Sequence, residues 1–180
     1  MFDIDYFYAD PHFGHRNIID LCHRPFDGLD DMHAELIERY NDTVDDQDTV
    51  CFVGDVFFMK HEPAAEILRL LNGQKILVVG NHDRSPRKMV EMGFAMATDE
   101  MFIHLVGHTV RVNHYPYRTK DTEERLHDVR PHRHPDEFLI HGHTHDLGKG
   151  AGREIHVGVD AWDFRPVHRK EVEDIILERT

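Results

Sequence analysis

The sequence predicts an α/β fold in which two packed sheets are flanked by helices within one domain spanning residues 1–180. Three observations predict it. Short apolar runs of strand length alternate with amphipathic segments of helical period through the first half. The second half is mostly strand and hairpin. The length, with 40% apolar residues, allows one substantial core.

The elements follow in order. Ile4–Ala9 opens the chain as an apolar strand. Asp30–Asn41 reads as a helix because Met32, Leu36 and Ile37 recur at helical spacing, with Asp30 as its cap. Thr49–Val53 is the next strand. His61–Leu71 carries Pro63 near its first turn and places Ala64, Ile67, Leu68 and Leu71 on one face. Lys75–Val79 is a third strand, and Ser85-Pro86 opens a helix that runs to about Met92 and stops at Gly93. Met101–Val106 and Thr109–Val112, joined at Gly107-His108, form a hairpin. Glu137–Ile140, Ile155–Val159 and Val167 supply late strands, while Val172–Leu177 fits a short helix or a strand. Between them, residues 117–136 are almost wholly polar, with Arg118, Lys120, Arg125, Arg130 and Arg133 among acids and histidines. A segment this long reads as a loop near the site or as a solvated surface.

Composition narrows the function. The net charge of −13 disfavours long duplex nucleic acid as a partner, because proteins that grip a phosphate backbone present basic faces. Small phosphate esters stay open, since bound divalent cations reverse a local carboxylate field. No stretch approaches the roughly 20 apolar residues of a membrane helix. The acidic start, Met1-Phe2-Asp3-Ile4-Asp5, is not a signal peptide, and a cytoplasmic location is expected. Cys22 and Cys51 lie far apart and indicate neither a disulfide framework nor a thiolate zinc site. The 17 histidines exceed what packing requires, and histidine is the commonest metal ligand.

The chemistry is written where the apolar runs end. Asp10-Pro11-His12 follows the first run and Gly54-Asp55 the second. Gly80-Asn81-His82-Asp83 follows the third, Asn113-His114 the strand at 109–112, and His141-Gly142-His143-Thr144-His145 the strand at 137–140. Ligands of open α/β sheets bind beyond the carboxyl ends of the strands, so five such ends build one polar cluster. Asp10 and His12, and again His143 and His145, are two apart and on an extended backbone project to the same side. Asp55 can bridge two cations through its two oxygens. Nitrogen and oxygen donors without thiolate suit Zn, Mn or Fe better than Ca or Mg.

These motifs resemble the signature of the calcineurin-like metallophosphoesterase superfamily. The starting run Asp10-Pro11-His12-Phe13-Gly14-His15-Arg16-Asn17 and the closing Gly158-Val159-Asp160-Ala161-Trp162 look like those of its compact bacterial and bacteriophage members. The resemblance implies a four-layer α/β/β/α sandwich and two divalent transition metals, with Mn favoured in vitro. It implies that Asp10, His12, Asp55 and His145 hold the first metal, and that Asp55, Asn81, His114 and His143 hold the second. A hydroxide bridging the metals would attack phosphorus in line, and His82 would protonate the leaving oxygen as general acid. Asp83 would orient the His82 ring. His15, Arg84 and Arg118 are candidate phosphate contacts, and His127, His132 and His134 reach the site if the polar loop folds over it. His23, His33, His61 and His168 read as surface residues, and Val56-Phe57-Phe58-Met59 as core.

The resulting expectation is a phosphodiesterase acting on small diesters such as cyclic nucleotides, including 2′,3′-cyclic ones. Phosphomonoesterase activity or cleavage of short nucleic-acid strands is the enzymatic alternative. A non-catalytic metal-bound scaffold is the alternative of another class, although such scaffolds usually lack the catalytic histidine or part of the metal shell.

Overall fold

A computed structural model describes residues 3–118, 130–145 and 147–180. Two sheets pack face to face. The first has strand order β4-β3-β2-β1-β9, built from β1 (Tyr6–Tyr8), β2 (Thr49–Phe52), β3 (Gln74–Val78), β4 (Met96–Thr98) and β9 (Val167–His168). Its strands run parallel except β9, which is antiparallel to β1. The second has order β5-β6-β7-β8, built from β5 (Met101–Leu105), β6 (His108–Val112), β7 (Glu137–His141) and β8 (Glu154–His156). Here β6, β7 and β8 are parallel, and β5 forms the expected hairpin with β6, Leu105 pairing with His108.

The alternation of strand side chains divides the core in two. Tyr8, Val50, Phe52 and Leu77 face one way and pack with α1 (Arg16–Leu21), α2 (Leu29–Asn41), α3 (His61–Leu70) and α4 (Pro86–Met92). Their neighbours Phe7, Cys51, Val53, Ile76 and Val78 face the other way and meet Val110, Val112, Phe138 and Ile140 of the second sheet. Helix α5 (Arg169–Glu178) sets Val172 and Ile176 into this inter-sheet core, and Arg179 just beyond it donates to the carbonyls of Gly150 and Glu154 beside β8. Among the described residues, two mixed sheets and five α-helices thus make the sandwich architecture the sequence predicts.

Several local expectations change. Asp30 lies in the first turn of α2 and not at its cap, which is Gly28; its carboxylate still favours the positive end of the helix dipole. The segment at 172–177 is helical because His168 and Glu171 form a reciprocal cap, the His168 ring accepting from the Lys170 N–H and Glu171 from the His168 N–H. Histidine is an unusual cap, so pattern alone left helix and strand open. Helix α1 and strand β4 escape the periodicity argument because each is short, with only Ile18 and Ile19 buried in α1 and no fully buried residue in β4. Of the polar segment at 117–136, residues 119–129, His127 among them, lie outside the described residues. No helix among the described residues is long and apolar enough to cross a membrane.

Candidate metal centre

Parallel strands deliver their carboxyl ends to one edge, and the packed sheets bring two such edges together. Backbone bonds then stitch the strand ends to each other. The Asp10 N–H donates to the Gly54 carbonyl at 3.1 Å, His12 N–H to Asp55 at 3.2 Å, and Gly142 N–H to His114 at 3.1 Å. His143 N–H donates to the Asp10 carboxylate at 2.8 Å. Gly80 and Gly142 are needed for this approach, since a Cβ on Gly80 would collide with the Asp55 carboxylate and one on Gly142 with Asp10.

All seven expected ligands converge. Asp10, His12 and His145 place ligand atoms within 4.8 Å of one another, and so do Asp55, His114 and His143. Asp55 joins the two groups, its Oδ2 lying 3.5 Å from His12 Nε2 and 3.4 Å from His114 Nε2. Asn81 completes the second group, with Oδ1 3.2 Å from His114 Nε2. The donor set fits divalent cations: Asp10 Oδ1 and both ring nitrogens of His12 are buried without a hydrogen-bond partner, a costly state that a cation held by Asp10 and one His12 nitrogen would relieve. Carboxylate, amide oxygen and imidazole are donors of borderline transition metals.

The way these side chains converge differs from the expected extended backbone. Asp10 (φ 57°), His12 (53°), Asp55 (52°), His143 (71°) and His145 (53°) are all left-handed, five of the nine non-glycine residues with positive φ among those described. Aspartate and histidine tolerate this region better than most residues. Each still carries strain of order 1–3 kcal/mol, of the kind that persists where surrounding structure over-determines a functional geometry. The donors after β1, β2 and β7 therefore meet through left-handed turns, not because alternate residues share a side.

What braces the donors was only partly visible in the sequence. Arg24, which pattern reading passed over, is buried and forms a two-pronged pair with Asp160, at 2.8 Å and 2.9 Å. Its guanidinium also donates to the carbonyls of Pro11 and Asp10 at 3.0 Å and 2.8 Å. Asp160 in turn stands 3.1 Å from His145 Nδ1, which leaves Nε2 for the metal. His114 is oriented in the same manner by the Val53 carbonyl, 3.0 Å from its Nδ1. His33 is not a free surface residue, since its Nε2 accepts the Gly14 N–H at 2.8 Å and supports the loop after His12.

Asp83 corrects an expectation. Its carboxylate does not orient the His82 ring but accepts the backbone N–H groups of Asp55, Val56 and Gly80 at 2.8–2.9 Å. It clamps two strand ends together. His82 stands at the mouth, its ring 37% exposed and its Nε2 4.0 Å from Asp55 Oδ2. Beside it lie His15, with ring centroids 6.2 Å apart, and Phe58, at 5.2 Å. Val56 and Phe57 are core as expected, but Phe58 is 50% exposed and walls the site. Arg84 borders the cleft next to His82. Arg118 and His132 meet each other at 3.3 Å, and His134 is exposed and accepts the Asp136 N–H. Arg130 lines a cleft together with Gly80, Asn113 and Tyr115, and its charge reaches His143.

Burial is the largest single influence on each group of the cluster. It pushes His12 down to about 3 and Asp10 up to about 6. Burial and the neighbouring His114 charge bring His143 down to about 4. Burial acts downward on His114 too, but its bond to Asp55 and the charges of Asp10 and Asp55 hold it up at about 9. Burial acts upward on Asp55, and the His114 bond overcomes it, keeping the carboxylate ionised well below its usual range. His145 is raised because the Asp160 bond outweighs burial.

Residues 29–157 match the calcineurin-like phosphoesterase superfamily domain. An uncharacterized protein of Methanocaldococcus jannaschii is 31% identical over 171 residues, which cover 90% of this chain and 85% of that protein. The gene 66 protein of Mycobacterium phage L5 is 31% identical over 194 residues, covering 95% of this chain and 93% of the phage protein. Among solved structures, a protein of unknown function from Aquifex aeolicus superposes with a TM-score of 0.73 at 27% identity, covering 94% of this chain and 97% of that one.

Proposed function

The chain belongs to the calcineurin-like phosphoesterase superfamily, and from that premise we propose that it is a dinuclear metal-dependent phosphodiesterase of small substrates such as short or cyclic nucleotides. The observation that carries this reading is the shared carboxylate. Asp55 joins two donor groups of matching chemistry, and exposed His82 stands over the same oxygen. Divalent cations held there, Mn favoured in vitro, would polarise the phosphoryl group and supply hydroxide near neutral pH. The chain's own residues do the rest. Asp10, His12, Asp55 and His145 form one half of the cradle, and Asp55, Asn81, His114 and His143 the other. His82 holds a proton at the open side, where it can be passed to the departing oxygen.

A diester is favoured because two separate clefts adjoin the strand end that carries Asn81 and His82. One adjoins His82 and Arg84, and the other adjoins Gly80, Asn113 and Tyr115. A monoester needs room for only one organic group. The cytoplasmic setting expected from the sequence belongs to the same proposal. The test is Mn-dependent hydrolysis of a nitrophenyl phosphodiester against the monoester, with metal content measured alongside. His82→Ala is expected to lower kcat by about 10²–10⁴-fold while both metals stay bound. A metal-loaded wild-type protein that hydrolyses neither compound would be a scaffold, and faster turnover of the monoester would reverse the stated preference.

A further inference from the structure

We infer that the cleft beside His82 receives the alcohol that leaves phosphorus, and that this alcohol carries a flat ring and a second anionic group, as a phosphorylated nucleoside does. This deepens the proposed function and rests on its reading of His82 as general acid. A general acid lies within hydrogen-bond reach of the oxygen it protonates, so the departing group occupies the space that adjoins its ring. That space is an open cleft of about 520 Å³ lined by Phe58, Met59, Lys60, Arg84, Met89 and Met92.

Two features of the lining specify the occupant. Phe58 is exposed although its neighbours Val56 and Phe57 are buried, which forgoes apolar burial at a site's rim. Its ring packs against His15 at 4.4 Å and His82 at 5.2 Å between centroids, so it is positioned rather than free. A fixed aromatic side chain bordering a cleft is a stacking surface for a planar ring, and the methionines add a polarizable wall. The second feature is charge. Lys60 and Arg84 are exposed and have no ion-pair partner among the described residues, and the Asp83 carboxylate is engaged by three backbone amides. The open charge of this cleft is therefore positive in a chain whose net charge is −13. A neutral alcohol gains nothing from that field, whereas an anionic one does.

The experiment compares three substrates of the Mn-loaded protein: a dinucleotide whose departing nucleoside bears a phosphate, the same dinucleotide without it, and the methyl ester of a nucleoside 5′-phosphate. In the last, the departing alcohol is methanol, which carries neither ring nor charge. The phosphorylated dinucleotide is expected to exceed the unphosphorylated one in kcat/KM by about fivefold, a preference that Lys60→Ala and Arg84→Ala reduce toward unity. Phe58→Ala is expected to raise KM for both dinucleotides about tenfold and to change KM for the methyl ester far less. Equal use of all three substrates by the wild type overturns the inference, as does a uniform loss in Phe58→Ala, which would mean that Phe58 merely supports His82. No hydrolysis of any substrate by metal-loaded protein would instead defeat the phosphoesterase reading beneath it.

Discussion

Asp10, His12 and His145 are braced by a buried ion pair whose partners, Arg24 and Asp160, lie 136 residues apart in sequence. His114 and the Gly80–Asp83 turn are braced differently, by the Val53 carbonyl and by amides gathered on Asp83. The first half therefore depends on a charge pair that can be removed without altering any strand. The second depends on backbone groups that exist only if the sheets are in register. Both kinds of brace set ring tautomers and hold strand ends, but they should fail separately.

The largest effect is expected where the halves meet. Asp55→Ala removes the shared carboxylate, so metal content by elemental analysis should fall to near zero, with loss of activity. Retention of two metals would sever the link between the halves. Next is Arg24→Met, which leaves the Asp160 carboxylate buried without its partner. Breaking a buried pair costs about 3–5 kcal/mol in denaturant unfolding. Metal stoichiometry should fall toward one, the Asp10 and His145 half emptying first; equal loss from both halves would refute the separation.

Asp83→Ala should act on the other half. Backbone amides lose their acceptor, with an expected cost of roughly 1–3 kcal/mol. Activity should fall about 10–100-fold through displaced Asp55 and Asn81. An unchanged unfolding midpoint would show that water replaces the carboxylate there.

The smallest effect concerns pH. Burial lowers the His33 pKa from the ordinary 6.5, and its Nε2 accepts the Gly14 N–H. Below that ordinary value the unfolded chain takes up a proton that the folded state excludes, so this contribution is intact above pH 6.5 and is lost as pH falls below it. His33→Gln keeps an acceptor but cannot titrate. The stability gap between wild type and variant should shift against the wild type between pH 7.5 and 5.5, and a constant gap would remove His33 from the brace of the first half.

The strand-end motifs were legible because each is local: an apolar run sets the strand, and the polar residues after it are its mouth. Asp10, Asp55 and His114 needed nothing more to be singled out. Arg24 offered no such signal. It sits in Cys22-His23-Arg24-Pro25, a stretch without periodicity, and acquires its role only by meeting Asp160. Asp160 had a faint signal in the closing Gly158-Val159-Asp160 run. Asp83 was singled out for a correct neighbourhood and the wrong contact, because sequence adjacency to His82 says nothing about where a carboxylate finds donors. Phe58 read as core from its apolar neighbours, and one residue of phase placed it outside.

By itself, then, the sequence determined the two-sheet architecture, the strand ends and the kinds of donor they carry, since these follow from side-chain chemistry and short-range hydrophobic period. Tertiary structure alone decided the left-handed turns that aim Asp10, His12, Asp55, His143 and His145, and which nitrogen of His114 and His145 is left for a metal. The reason is physical. A donor's identity is fixed within one residue, but its direction, burial and protonation depend on groups brought near only when the sheets pack.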